Sequence, residues 1–144
     1  MSQENKVHWL DETVDKILKR SLDEITLSTG KTPSGHVHIG ILREIIICDA
    51  LRRKFEEREK IVNFYLFLDD FDAAKRFPSY IDPEFQKKYL GKPFALIPCP
   101  FEDCNCESYA KHFGNELIST FPGFGIKVKI IWTYNLYQEK RMQK

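Results

Sequence analysis

Ser28-Thr29-Gly30-Lys31-Thr32-Pro33-Ser34-Gly35-His36-Val37-His38-Ile39-Gly40 is the stretch on which the reading of this 144-residue chain turns. Just before it, Glu24 to Thr29 is β-branched and alternating, which reads as a short strand ending at Gly30. Just after it, Leu42, Ile45, Ile46, Cys48, Ala50 and Leu51 are expected to face the inside of a helix. Between the two, Pro33, Gly35 and Gly40 break regular structure. A strand, a glycine-rich turn and a helix in that order form the unit on which parallel α/β sheets bind ligands, at the carboxyl ends of their strands. Gly30, Gly35 and Gly40 let backbone approach a ligand closely, and the helix start at Gly40 offers N–H groups to a phosphate. His36 and His38 can both donate hydrogen bonds as charge moves onto a phosphate chain. The spacing matches neither a GxGxxG fingerprint nor a P-loop.

Working outward, Leu10, Val14, Ile17 and Leu18 mark one face of an amphipathic helix. The charged run Arg52 to Lys60 predicts a solvated end for the second helix, with Arg52, Arg53 and Lys54 as a compact basic patch. Ile61 to Leu68 is apolar except for Asn63 and predicts a strand buried on both faces. It stops at Asp69-Asp70-Phe71-Asp72. Residues 73–107, with five prolines, read as an irregular but ordered functional insertion. A helix follows over Ser108 to Thr120, ended by Pro122-Gly123 and Gly125, and Ile126 to Trp132 alternates as a third strand. The order α-β-α-β-insertion-α-β implies one domain over residues 1–144, an α/β fold with a doubly wound parallel sheet and crossover helices.

Composition narrows the function. With 22 Lys plus Arg against 21 Asp plus Glu, net charge is +1, so no general positive field draws in nucleic acid or an anionic bilayer. No apolar run reaches the roughly 20 residues that span a membrane, and Met1 to Lys6 is polar, so the expectation is a soluble cytoplasmic domain without a membrane partner. Cys99, Cys104 and Cys106 lie close in sequence to His112, but C-x₄-C-x-C fits zinc knuckles poorly, and a loop of free thiols with no metal is expected.

Thr32-Pro33-Ser34-Gly35-His36-Val37-His38-Ile39-Gly40 resembles the HIGH signature region of class I aminoacyl-tRNA synthetases, and of their lysyl type above all. Four further stretches match that family in order. Val7-His8-Trp9 is similar to its V-H-W, Asp69-Asp70-Phe71-Asp72 to D-D-(aromatic)-D, Tyr89-Leu90-Gly91-Lys92-Pro93 to Y-L-G-x-P, and Cys106 to Phe113 to E-S-Y-A-x-H-F. The resemblance implies a Rossmann-like (HUP-type) sheet, of which this chain is the N-terminal half of the catalytic domain. It implies lysine–tRNA ligation in two steps: ATP, with Mg2+, and lysine give lysyl-adenylate, and the lysyl group then passes to tRNA(Lys). By family position Thr32, Pro33, Ser34, Gly35, His36, His38 and Gly40 line the ATP, with His38 and then His36 as the catalytic donors. Gly30, Thr32, Asp69, Asp70 and Asp72 form the lysine pocket, Asp70 being the first choice for an ammonium group. Ser108 and Tyr109 face its amino-acid side.

Two departures stand beside these matches. The fourth position of the signature, His or Asn in the family, is Ile41, which donates no hydrogen bond. The lysine-containing KMSKS-type loop and the anticodon-binding domain of the family's C-terminal half are not found in residues 114–144. The chain is therefore expected to be an N-terminal piece of the ligase or, alternatively, a short non-catalytic relative that binds a nucleotide, an aminoacyl group or a partner.

Overall fold

A computed structural model describes residues 8–20 and 22–139; Val7 of the V-H-W stretch and Lys140 to Lys144 lie outside them. Three strands, β1 (Glu24–Lys31), β2 (Ile61–Leu68) and β3 (Lys129–Trp132), pair in parallel in the order β1-β2-β3. Lys31 lies level with Leu68, and Leu68 with Trp132, so all three strands end together and their following loops share one rim. Helices α1 (Trp9–Leu18), α2 (Ile39–Glu57) and α4 (Tyr109–Phe124) connect or precede the strands, and a short α5 (Thr133–Gln138) closes the described chain.

The eight-residue β2 run is not buried on both faces. Phe64, Leu66 and Leu68 are buried, whereas Val62, Tyr65 and Phe67 are half-buried and Ile61 is exposed. The buried side joins Ile45 and Leu42 of α2 to Leu117 and Phe121 of α4, and Val14 of α1 to Ile25 and Phe55. Successive strand residues point to opposite faces, so all three helices cover one face. On the other, Thr26 and Ser28 are exposed and Tyr65, Phe67 and Ile131 half-buried. β3 is shorter than Ile126 to Trp132, yet Ile126, Val128, Ile130 and Trp132 still turn to the same cluster.

Two boundaries and one segment differ from expectation. Arg52 does not sit on a solvated helix end: it is 5% exposed, inside the buried stripe Leu42, Ile45, Asp49, Arg52, Phe55 of α2. Its Nε donates to Asp49 Oδ1 at 2.7 Å and its Nη1 to Glu56 Oε2 at 2.6 Å. Arg53 Nε donates to Asp49 Oδ2, also at 2.7 Å, and its Nη2 reaches the carbonyls of Phe124 and Gly125. Of the basic patch, Arg53 thus ties α2 to the end of α4. That end lies beyond Pro122, at Gly125, whose φ of +64° lies in the left-handed region that stops helices.

Residues 73–107 are not wholly irregular. They hold α3 (Pro83–Tyr89) and a 3₁₀ turn at Phe94–Leu96. The helix signal was present in the sequence: Asp82 caps the Phe85 N–H, Pro83 occupies the first turn with Glu84, and Lys87 and Lys88 the last. Ala74, Ile81, Phe94 and Ile97 from this segment form a second core with Tyr109, Ala110 and Phe113 of α4. The insertion is therefore a packed wall beside the loop that follows β1.

Candidate functional site

The loop after β1 is gripped from α4 and from the insertion. Glu116 takes the Val37 N–H at 2.9 Å with one oxygen and His36 Nδ1 at 2.8 Å with the other. Tyr80 Oη accepts the His36 N–H at 2.8 Å, and the Tyr109 hydroxyl donates to the Ser34 carbonyl at 2.8 Å. Gly35 is required by proximity: a Cβ there would stand 2.8 Å from Tyr80 Oη and 2.9 Å from Pro78. Glu116 is half-buried, which pushes its carboxyl up, but the Val37 N–H and His36 more than offset this and hold it below the usual carboxylate range. Burial drives the Tyr109 hydroxyl far above its ordinary value, which keeps it a donor. Sequence reasoning missed Glu116 and Tyr80 because their partners lie 79 and 44 positions away.

Tyr109 and Ser108 do not face a pocket. Tyr109 is fully buried in the second core and Ser108 Oγ caps the Lys111 N–H of α4. They position the loop from behind.

His38 is the N-cap of α2, and its Nδ1 accepts the Gly40 N–H at 3.1 Å. That N–H is therefore not free for phosphate, as the sequence had suggested. Accepting at Nδ1 fixes the tautomer, because the ring proton must then sit on Nε2. His38 thus presents an Nε2–H donor without having to be charged. His36 differs: its Nδ1–H is spent on Glu116, so only the imidazolium form offers a second N–H. Both rings are exposed.

These residues line a groove of about 580 Å³ formed by Ser34 to His38 and Ile41 on one side and Arg76 to Pro78 and Tyr80 on the other. Arg76 supplies a cation that the sequence reading did not single out. The side-chain donors around this groove are imidazoles and a guanidinium, chemistry that holds phosphate oxygens. Among its lining residues there is no carboxylate. Ile41 sits on its wall, half-buried against the core, so the missing donor of the signature is replaced by an apolar contact.

A second cavity, about 240 Å³, adjoins the first through Ser34 and Arg76 and is also lined by Thr32, Asp72, Ala73, Lys75 and Phe94. Thr32 Oγ1 donates to Asp72 Oδ2 at 2.7 Å, joining the loops after β1 and β2. Pro33, between Thr32 and Ser34, is buried. Asp69 lies over Gly30, where a Cβ would come 2.8 Å from its Oδ2. Partial burial, followed by the charges of Asp72 and Asp70, raises the Asp69 carboxyl above its ordinary range.

Asp70, the first choice for an ammonium partner, is engaged inside the fold through one of its oxygens. It is 2% exposed, and its Oδ1 accepts the Tyr134 N–H at 2.7 Å and the Thr133 hydroxyl at 3.1 Å. It caps α5 and ties the end of β3 to the end of β2. The carboxylates left toward the rim are Asp69 and Asp72.

The three thiols and His112 lie much closer together than their spacing implied. Cys104 Sγ is 3.2 Å from His112 Nδ1 and 2.8 Å from Cys106 Sγ. Hydrogen bonds from Cys106 and His112 hold the Cys104 thiol down to about 6. Sharing that proton with Cys104, together with burial, pushes Cys106 up to about 11.

Among the described residues, no helix is long and apolar enough to cross a membrane. Residues 7–144 match the profile of a family described as tRNA synthetases class I (K). The chain is 36% identical over 123 residues to a lysine–tRNA ligase of Methanococcus maripaludis, which covers 85% of this chain and 22% of that protein. A lysine–tRNA ligase of Treponema pallidum is 36% identical over 138 residues, with 94% and 26% covered, and one of Archaeoglobus fulgidus is 35% identical, with 92% and 26% covered. The chain thus spans about a quarter of the length of these relatives.

Proposed function

The chain belongs to the class I (K) tRNA synthetase family, and from that premise we propose that it carries the nucleotide half of a lysine–tRNA ligase site. The observation that supports this reading is the adjacency of two cavities at the strand ends. One is lined by phosphate-type donors, the other by Asp72, and they share Ser34 and Arg76.

ATP occupies the larger groove with its phosphates against His36, His38 and Arg76. Magnesium, if bound to the phosphates, arrives with ATP, since no carboxylate lines that groove. Lysine occupies the smaller cavity, with its ammonium groups toward Asp72 and Asp69 and its carboxylate toward the α-phosphorus. Attack by the carboxylate oxygen forms the acyl-phosphate bond and expels pyrophosphate. The protein supplies positioning and stabilisation of the added negative charge, which carry most of the acceleration in such transfers. His38 Nε2–H is the leading donor because its tautomer is fixed by the α2 cap. The lysyl group then goes to tRNA(Lys), with groups outside residues 8–139 completing the site, in the cytoplasm where translation runs.

Lysine-dependent exchange of pyrophosphate into ATP by the complete protein tests this. Exchange with lysine and not with arginine or ornithine is expected, and Asp69→Asn should raise the lysine KM about tenfold or more, the loss of one charge-assisted contact. Absence of exchange with any amino acid refutes ligation. It would favour the second reading, a binding module, for which the apolar Ile41 on the groove wall speaks.

A further inference from the structure

Glu116 of α4 spends both carboxylate oxygens on the loop after β1. One accepts the Val37 N–H at 2.9 Å and the other meets His36 Nδ1 at 2.8 Å. The first contact is enough to hold the chain, because a backbone N–H fixes the loop whatever its side chains do. The second acts on the imidazole alone. Burial pushes the Glu116 carboxyl up, but the Val37 N–H and His36 outweigh it, so the group behind the ring is an anion. An anion only accepts, which places the proton of a neutral His36 on Nδ1. Nε2 then carries a lone pair, and His36 lines the groove with its side chain 52% exposed. A lone pair repels a phosphate oxygen. Only the imidazolium form donates to one from Nε2.

We propose that Glu116 is a positioning residue that makes His36 hold the triphosphate as an imidazolium, so that ATP binding takes up one proton from solvent onto Nε2. The inference rests on the reading of the larger groove as the nucleotide site. His38 takes no part in this proton, since its Nδ1 accepts the Gly40 N–H and its Nε2 already carries one.

The surroundings of the ring explain why the proton arrives with nucleotide. Tyr80 lies 4.6 Å from it, Phe113 5.2 Å and Phe101 6.4 Å, and none of these rings brings a charge. Of the other ionisable groups, His38 and Arg76 line the same groove, and His112 acts on Glu116 from α4. Arg76 makes no ion pair among the described residues, so its charge opposes a second cation in the groove. Only the Glu116 carboxylate favours one. Phosphate oxygens reverse this balance, because the imidazolium then lies between two anions and Arg76 is answered as well.

Calorimetric titration of ATP with Mg2+ into the complete protein, without lysine so that no adenylate forms, tests this. Repeated in buffers of different ionisation enthalpy, it reads the protons taken up per nucleotide bound. At pH 8, where free imidazoles are mostly neutral, uptake of about half a proton or more is expected, and the Kd should rise about threefold or more from pH 7 to pH 8. Glu116→Gln keeps a carbonyl oxygen for the Val37 N–H but sets an amide NH2 against Nδ1. The ring proton then sits on Nε2 and neutral His36 donates, so uptake should fall to near zero and affinity should lose its pH dependence. His36→Gln should abolish uptake as well. A clamp without influence on the ring would instead lower affinity by the same factor at every pH. The wild-type titration alone can sink the proposal, should a variant fail to fold. No uptake by wild type at pH 8, or uptake unchanged in Glu116→Gln or in His36→Gln, overturns it. Wild-type protein that binds no ATP at all overturns the nucleotide reading of the groove, and this inference with it.

Discussion

Charge is used in opposite ways at two places on α2. Midway along the helix, Asp49 receives Arg52 and Arg53 at 2.7 Å each and the Lys127 N–H at 3.3 Å, and Arg52 goes on to Glu56. Every formal charge there is answered by another, and Asp49 and Arg52 are almost wholly out of water. At the N-terminus of the same helix, His36 and His38 stand exposed on one wall of the groove. Across it, Arg76 makes no ion pair among the described residues. Closed networks hold elements together. Charged and donor groups left open at the rim of a sheet are free to meet a ligand.

The sharpest way to break this contrast is Asp49→Ala. It leaves the buried Arg52 with Glu56 alone and Arg53 with the carbonyls of Phe124 and Gly125, and removing one side of a buried pair costs about 3–5 kcal/mol. Thermal unfolding should report a loss of that size, while nucleotide affinity of the protein that remains folded stays near the wild-type value. A loss under about 1 kcal/mol would mean the network behaves as an ordinary surface pair. The pH dependence follows in sign. Burial pushes the Asp49 carboxyl up, but Arg52 and Arg53 outweigh this and hold it below its ordinary value. The stabilisation is therefore present above the unfolded carboxyl's pKa of 3.8 and is lost as pH falls through the lower folded value.

At the open end the matching variant is His38→Asn. Asparagine is a good N-cap, so the start of α2 and the fold should survive, with unfolding temperature close to wild type. The Nε2–H donor is lost, and removing one donor aimed at developing charge costs on the order of 100-fold in rate. Single-turnover adenylate formation should fall by that factor with little change in ATP KM. An unchanged rate would make His38 a cap and nothing more.

The contrast also explains what could be read from the residues alone. β2 was legible because seven apolar positions out of eight between turn signals leave few alternatives, and the signature loop because its glycines and histidines follow a strand directly. One-sided burial of the sheet was not, since Ile61 to Leu68 is apolar on both faces and only the placement of α1, α2 and α4 decides which face is covered. Arg52 looked like a solvated cation because Asp49, its partner, reads as one more polar residue on a helix. Asp70 looked free for the same reason: the Thr133 hydroxyl and Tyr134 N–H that occupy it lie 63 and 64 positions away. The loop of thiols was legible from Cys99, Cys104 and Cys106, but not that His112 of α4 comes within 3.2 Å of Cys104. Tertiary partners, rather than local propensity, separated structural charges from open ones.

The finest test is Ile41→Asn, at the boundary between the two regimes. Ile41 lines the groove and also packs against the core that Leu42 and Ile45 share with the sheet. Asparagine returns a donor to the wall facing Arg76. Because Ile41 is only half-buried, the loss of apolar packing should fall toward the low end of large-to-small core costs, about 1 kcal/mol. The donor should be worth less than that of His38, because a flexible amide on the first turn of α2 is less well fixed than a ring locked by the Gly40 N–H. A gain of about tenfold in adenylate formation is therefore expected, roughly 1.4 kcal/mol in the barrier, with slightly lower thermal stability. No gain would mean that nucleotide phosphates do not come within reach of position 41, and the groove would have to be reassigned toward Arg76 and Tyr80. A loss of rate alongside lost stability would mean that Ile41 serves the core alone, and the open regime would then begin at His38 rather than one turn into the helix.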